Sequence, residues 1–354
     1  MEGDALQPGR ARDVDRGERP RSRPTIRDVA AEAGVSMKTV SRVLNAEPAV
    51  AVSTAERVRE AAVRLGFQRN EAAAHLRRLD RSTRLLGLVS EDLNNPFYSA
   101  LASAVEGVAR QNGYLLIVAS SDENADTERG VLSALITRRV DGLIVVPTGT
   151  DHSFLIPEID SGTAVVFVDR PALAEQVDCV VAANAEGAVS AVQHLLDHGH
   201  RRIGYLGDNP GISTAQERYR GYRDGLTAAG RPVDDSLVRL GLHDTAAAED
   251  ACRELLAPVD DPVTAIFAGN NRLTIGAVHA IANQARPVAL IGFDDFELAD
   301  VLRPAVTVVA QDVDAMGRTA TELLLRRLAG DRRPATRVTL STRLIPRGSG
   351  EIRP

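Results

Sequence analysis

The sequence predicts a small all-helical head joined to a two-lobed α/β core built from doubly wound parallel sheets. Three observations carry this reading. Apolar residues recur at helical spacing through residues 24–66. Short apolar runs alternate with amphipathic segments from residue 85 onward, the texture of parallel sheets covered on both faces. Charge also shifts: residues 1–84 hold 17 basic and 12 acidic side chains, a net of +5, and the remainder hold 25 and 36, a net of −11. The overall −6 of the 354 residues therefore averages two unlike parts. A basic head is suited to nucleic acid even though the whole chain is acidic.

Composition narrows the class further. At 44% hydrophobic and 25% charged, the chain is ordinary globular protein. The longest apolar runs, such as 115–119 and 142–146, are far short of the ~18–20 residues that a spanning helix needs. Two cysteines, Cys179 and Cys252, make neither a disulfide scaffold nor a metal-site spacing. The first residues contain no apolar signal core, so a cytoplasmic protein is expected.

The elements follow in order. Residues 1–23 mix Arg, Asp, Glu, Gly and Pro with almost nothing to bury, and a disordered tail is expected. Thr25 is placed to cap a first helix, with Asp28 in its first turn and Ile26, Val29, Ala30 and Ala33 on one face. Gly34 breaks that helix, Ser36 caps a second with Val40, Val43 and Leu44 inside, and the segment 45–48 ends it. A third helix is expected from about Thr54 to Leu65, with Val58, Ala62 and Leu65 inward and Gly66 as its stop. Helix, glycine turn and helix cross so that the second helix can project into a major groove. Its outward residues are Met37, Lys38, Ser41 and Arg42, and Lys38 is the only lysine in the chain. An ordinary three-helix bundle is the alternative reading of this pattern.

In the core, strands are expected at 85–90, 114–120, 142–146, 164–168, 202–206, 264–268 and 288–293, with helices such as 98–111, 184–197 and 217–229 between them. About 260 residues is long for one sheet, so two lobes with a cleft are predicted. The break is expected near 169–178, with one return of the chain near its end. Ligands of such sheets sit outside the carboxyl ends of the strands.

Particular residues carry a family resemblance. TIRDVAAEAGVSMKTVSRVLN (25–45) closely resembles the headpiece of the lactose-repressor/galactose-repressor family of bacterial transcription regulators. NNPFY (94–98), VDGLIVVP (140–147) and VVFVDRP (165–171) are similar to that family's first lobe. HLLDHGHRRIGYLGD (194–208), ERYRGY (217–222), FAGNN (267–271), IGFDD (291–295) and RPAVTVVAQD (303–312) are similar to its second. The resemblance implies a headpiece at 24–68, a hinge helix and linker at 69–84, a two-lobed effector-binding and dimerisation core of periplasmic-binding-protein type at 85–346, and a tail at 347–354.

The resemblance also implies roles. Met37, Lys38 and Arg42 match positions that read base edges: Lys38 and Arg42 can donate to guanine, and Met37 can touch a thymine methyl. Thr25, Ser36, Thr39, Ser41 and Asn45 match phosphate-contacting or capping positions. Asn70 opens the hinge, and Leu76 matches the leucine that wedges into the central minor groove. The hinge departs from the family pattern at Arg69 and Ala74, and Ala51 replaces a frequent Ser before the third helix. For the effector, Arg218 and Asp294 match the principal polar contacts, Asn270 and Asp169 further polar positions, Phe97 and Phe267 apolar walls, and Thr214 and Gln311 additional candidates. Asn271 departs from the usual Asp, a change read as a matter of helix capping. The implied protein is a non-enzymatic, cofactor-free homodimer. It binds a pseudopalindromic operator as a repressor, under allosteric control by a sugar or related metabolite that either releases or strengthens DNA binding.

Other chemistries find little support. Gly204, Gly207 and Gly211 miss the dinucleotide spacing and read as turn glycines. His194 and His198 have an i, i+4 spacing that can hold zinc, but no third ligand pattern joins them. A solute-binding protein or an enzyme on the same core is the competing class, and the headpiece argues against it.

Overall fold

The computed structural model of the chain describes residues 24–44, 50–67, 82–149, 151–172, 176–257, 260–282 and 284–354. The chain divides into two compact units, Met1–Arg81 and Ser82–Pro354. The tail at 1–23, Asn45, and the hinge residues Asn70 and Leu76 lie outside the described residues.

The first unit holds three helices, α1 (Ile26–Ala33), α2 (Met37–Leu44) and α3 (Val52–Leu65). At the start of α1 the Thr25 backbone N–H and hydroxyl both donate to the Asp28 carboxylate at 2.7 Å. The Thr25 N–H holds that carboxyl below its ordinary range. Gly34 ends α1 in the left-handed region at φ 63°, where a Cβ would be strained. Ser36 Oγ accepts from the Thr39 N–H at 3.1 Å and so caps α2. Val29, Val40, Val58 and Ala61 form the buried centre. The third helix begins at Val52 instead of Thr54, and Ala61 rather than Ala62 turns fully inward. Val58 sets that phase, because three residues on from it lies on the same face.

The second unit carries two six-stranded sheets. The first uses β1 (Leu85–Ser90), β2 (Leu115–Ser120), β3 (Gly142–Val145), β4 (Ala164–Val168), β5 (Asp178–Ala182) and β11 (Arg337–Leu340), in the order β11-β5-β4-β3-β1-β2, all parallel. The second uses β6 (Ile203–Leu206), β7 (Val238–Arg239), β8 (Ala265–Ala268), β9 (Ala289–Phe293), β10 (Thr307–Ala310) and β12 (Arg343–Ile345), in the order β12-β10-β9-β8-β6-β7. Only β12 runs antiparallel to its neighbour. Helices α4 (Pro96–Gln111), α5 (Ala125–Thr137), α6 (Ile156–Asp160), α7 (Asn184–Asp197), α8 (Ser213–Ala228), α9 (Thr245–Leu255), α10 (Asn271–Ile281) and α11 (Val313–Leu328) cover the faces.

The lobe boundary differs from the sequence expectation. β5 pairs with β4 at Val166↔Asp178 and Phe167↔Cys179, so the first lobe extends to Ala182 and its boundary falls after β5. All five residues of β5 are buried, and Arg327 Nε fixes Asp178 at 2.6 Å. The chain then crosses between lobes three times, after β5, after β10 and after β11. The second crossing exists because Met316, Ala320 and Leu324 of α11 belong to the core beneath the first sheet. Sequence reading missed β5, β7, β10, β11 and β12, whose runs are short.

Smaller expectations also change. Gly204 lies within β6 and not in a turn, and a Cβ there would stand 2.8 Å from Ile266 Cδ1. The segment 347–354 packs into the second lobe: Ser349 Oγ donates to the Leu290 carbonyl, and Glu351 bonds His194 and Thr307. His194 is thereby engaged with Glu351, and His198 Nδ1 lies 2.8 Å from the His194 carbonyl. Cys179 and Cys252 are free and buried, and burial pushes both thiols up to about 12.

One close approach sets the second lobe's helix spacing. A Cβ on Gly221 of α8 would stand 2.2 Å from the Ala185 carbonyl and 2.7 Å from the Ala188 Cβ of α7. Gly221→Ala should therefore force the two helices apart and lower stability by roughly 1–3 kcal/mol. Urea denaturation at constant m checks this, and an unchanged midpoint would show that the helices slide freely.

Candidate functional site

Parallel strands aim their carboxyl ends the same way, so the loops after them converge on one edge of each sheet. In this unit the two edges meet across a cleft lined by residues of both lobes, among them Phe97, Asp169, Arg170, Thr214, Arg218, Asn270, Arg272, Asp294 and Gln311. Asp169 directly follows β4 and Asp294 directly follows β9. Both take the left-handed backbone conformation, at φ 69° and 67°. Aspartate tolerates that region better than most residues. Each also donates its N–H to the next strand, Asp169 to Val180 and Asp294 to Val309. The two lobes thus present equivalent aspartates to the cleft.

Arg218 rises from α8 beneath them. Its Nε donates to Asn184 Oδ1 at 2.8 Å, and its Nη1 donates to the Gly269 carbonyl at 2.8 Å and to Asp294 Oδ2 at 3.1 Å. Its guanidinium lies over the Phe293 ring, 3.9 Å from the centroid. Only 6% of Arg218 is exposed, so the plane of this fork is fixed before any ligand arrives. Gln311 Nε2 donates to the other oxygen of Asp294 at 2.6 Å. Asn270 Nδ2 donates to Asp208 at 2.8 Å, while its Oδ1 accepts from the Leu273 N–H at 2.9 Å.

The first lobe builds a second buried ion network around Arg170. Its Nη1 donates to both oxygens of Glu123 at 2.7 and 2.8 Å, and its Nη2 donates to Glu91 at 2.7 Å. Tyr98 donates its hydroxyl to Glu91 at 2.8 Å, and Phe97 packs edge-on against Tyr98. Burial, with the neighbouring carboxylates, pushes the Tyr98 phenol well above its ordinary range despite Arg170. The first turn of α10 also bridges to the first lobe, with Arg272 Nη1 3.9 Å from Glu91. Asn271 Nδ2 donates to Asn95 Oδ1 at 2.8 Å, and Arg272 pairs with Asp92.

Most sequence candidates meet here: Phe97, Asp169, Thr214, Arg218, Asn270, Asp294 and Gln311 all line the cleft. Phe267 does not. It is wholly buried inside the second lobe, with its ring centroid 5.6 Å from that of Tyr205. It belongs to β8, where alternate residues face opposite sides of the sheet, and its side falls on the core. Asn271 also departs from expectation. The cap of α10 is Asn270, and Asn271 is the first helical residue, reaching across to Asn95. Glu91, Arg170, Asp208 and Arg272 were missed. Each stands next to or within the segments 94–98, 165–171, 194–208 and 267–271, and only the tertiary meeting of those segments identifies them.

In the first unit, α2 presents Met37, Lys38 and Arg42 to solvent, with Thr39 and Ser41 half-buried. Met37, at 52% exposure, is a large apolar side chain with no core to enter. Val40 and Val43 point into the bundle, so one face anchors and the other is presented.

Comparison with known proteins bears on both units. Residues 25–70 match "Bacterial regulatory proteins, lacI family", and residues 83–347 match "Periplasmic binding proteins and sugar binding domain of LacI family". The HTH-type transcriptional regulator GalR of Escherichia coli (strain K12) is 34% identical over 325 residues, covering 89% of this chain and 92% of that protein. The solved structure of a transcriptional regulator CelR–cellobiose complex is 31% identical, with a TM-score of 0.68 over 92% of this chain and all of that one. The Lac repressor dimer bound to operator and an anti-inducer shares the fold, with a TM-score of 0.81 at 24% identity over 93% of this chain and 99% of that one.

Asp169 sets the pH behaviour of the cleft. Burial pushes its carboxyl from 3.8 up to about 6, against the opposing pull of Arg170 and Arg218. A carboxyl raised by folding contributes its stability below the unfolded value and loses it as pH climbs through the folded one. At pH 8 the buried charge therefore weighs against folding. Asp169→Asn, which has no charge to bury, should be more stable than the natural chain by roughly 1–3 kcal/mol at pH 8, with the gap closing toward pH 4. Chemical denaturation at the two pH values checks this, and a constant difference would remove the carboxyl as its source.

Proposed function

The chain belongs to the lacI family of bacterial regulatory proteins, and on that premise we propose that it is a sequence-specific, effector-controlled transcriptional repressor. It is not an enzyme, and it acts in the cytoplasm, on the nucleoid. The effector is a sugar or related metabolite held between the lobes of the second unit. The observation that carries this reading is the buried Arg218 fork, locked by Asn184, Gly269 and Asp294 in a cleft that draws on both lobes. Such a fork gives directional donors to hydroxyl oxygens, and Asp294 accepts from hydroxyls.

The same chain supplies the DNA-binding part. Lys38 and Arg42 are placed to donate to guanine edges and Met37 to touch a thymine methyl. Thr25, Ser36, Thr39, Ser41, Asn45 and Asn70 serve phosphate contact and capping, and Leu76 wedges the minor groove. The working form is a homodimer on a pseudopalindromic operator, since two-fold protein symmetry matches two half-sites. An open edge supports this: β2 closes one side of the first sheet, and its Leu115 is 65% exposed on the single chain. Effector binding changes the relative population of open and closed lobes, and operator affinity shifts through the hinge at 69–84.

Two experiments test the halves separately. Arg218→Ala should abolish the effector's influence on operator affinity while leaving effector-free operator binding within about twofold of the natural chain. Equal loss of both in a gel-shift titration would make Arg218 structural. Lys38→Ala should alter the preferred half-site in a binding-site selection, and Leu76→Ala should reduce operator bending. An unchanged site preference and bend angle would remove these residues from DNA readout.

A further inference from the structure

The charge of the cleft narrows the class of effector. This inference rests on the effector reading given above. Three guanidiniums line the cleft, and each is already matched by a carboxylate. Arg170 is held by Glu91 and Glu123, Arg218 by Asp294 and Arg272 by Asp92. A further pair of carboxylates faces the same space, Asp169 and Asp208. Asp169 is 4% exposed, and its side chain makes no hydrogen bond among the described residues; its nearest cation is Arg170 Nε, at 3.6 Å. Asp208 accepts from Asn270 and from the Asn209 N–H, with the exposed His243 3.7 Å away. Gln311 Oε1 is a second acceptor left without a partner.

Two donors also stay open, the buried Arg170 Nε and Arg218 Nη2, but the matched charges leave a surplus of carboxylate, and Asp169 and Gln311 Oε1 are acceptors without a donor among the described residues. A buried acceptor is costly until a donor reaches it. Hydroxyls and protonated amines supply donors, whereas a phosphate or carboxylate brings more acceptors and more negative charge. To bind an anion, the cleft would first have to break an ion pair already made in low dielectric. Arg218 Nη2, which makes no hydrogen bond among the described residues, remains available to a neutral oxygen.

We propose that the cleft selects a polyhydroxylated effector without phosphate or carboxylate, with its hydroxyls or a protonated amine donating to Asp169. Sugar phosphates and uronic acids are rejected by the same residues.

The test uses the full chain and matched sets of mono- and disaccharides, each sugar offered as the neutral compound, the amino sugar, the 6-phosphate and the uronate. Thermal shift and calorimetry are read for the natural chain, Asp169→Asn and Arg218→Ala. Each sugar that raises the melting temperature should be neutral or amine-bearing, and adding a phosphate or carboxylate should weaken it about tenfold or more. Asp169→Asn should weaken the amino sugar more than its neutral parent. A phosphate or uronate that binds as tightly as its neutral parent, and is lost in Arg218→Ala, would overturn the proposal. So would equal weakening of amino and neutral sugars by Asp169→Asn. Inorganic phosphate gives a second arm. It should raise the melting temperature of the natural chain no more than that of Arg218→Ala, and a larger rise in the natural chain overturns the charge argument. Silence from all four sugar forms would instead overturn the effector reading, and this inference with it.

Discussion

The Arg218–Asp294 pair, 3.1 Å apart and almost wholly buried, is the interaction on which the second lobe's chemistry depends. Neither charge would be stable there alone, because a buried ion without its partner pays a desolvation cost of several kcal/mol. The pair is stable because backbone and side chains support it: the Gly269 carbonyl and Asn184 accept from the guanidinium, Gln311 donates to Asp294, and the Phe293 ring floors the guanidinium. These partners come from α7, α8, β9 and the loops after β8 and β10. Bringing them together requires the whole second sheet in its observed order. The fold thereby fixes the fork, and the fork in turn ties four separate segments of the lobe.

The first lobe meets the same constraint differently. Arg170 is held by Glu91 and Glu123 through its two Nη atoms, while its Nε and the Asp169 carboxylate stand 3.6 Å apart without a hydrogen bond. One lobe therefore presents a satisfied acid and the other an unsatisfied one, although both acids follow a central strand with the same left-handed turn. That asymmetry gives the cleft its direction. The second lobe supplies a finished donor fork, and the first supplies an acceptor held at a cost to stability. Natural proteins commonly keep such a cost where function needs it.

The lobes are also linked directly. Asn271 to Asn95 and Arg272 to Asp92 connect the first turn of α10 to the loop ahead of α4. Both contacts sit at the cleft mouth, next to lining residues from each lobe. The three crossings of the chain join the same two lobes, and each is only a few residues long.

Much of this was legible in the residues. Helical spacing at Val29, Val40 and Val58, with the stops at Gly34 and Gly66, determined the headpiece, because those contacts are local and periodic. Apolar runs such as 85–90 and 289–293 announced a buried parallel sheet. The family resemblance of ERYRGY and IGFDD singled out Arg218 and Asp294, and both line the cleft. What tertiary structure decided was which segments meet. β5 joined the first sheet beside β11 at Cys179↔Arg337, α11 returned to that sheet, and β12 joined the second at Val308↔Ile345, pairings that no local period encodes. Phe267 faced the core because strand register, invisible in a four-residue run, turned it there. Glu91, Arg170, Asp208 and Arg272 became one cleft only when two sheets aligned their carboxyl ends. The sequence by itself determined the headpiece helices and the seven longer strand runs with their chemistry, because propensity and periodicity act over a few residues. The balance of charge in the cleft was set by tertiary structure alone, because it depends on which carboxylate reaches which guanidinium.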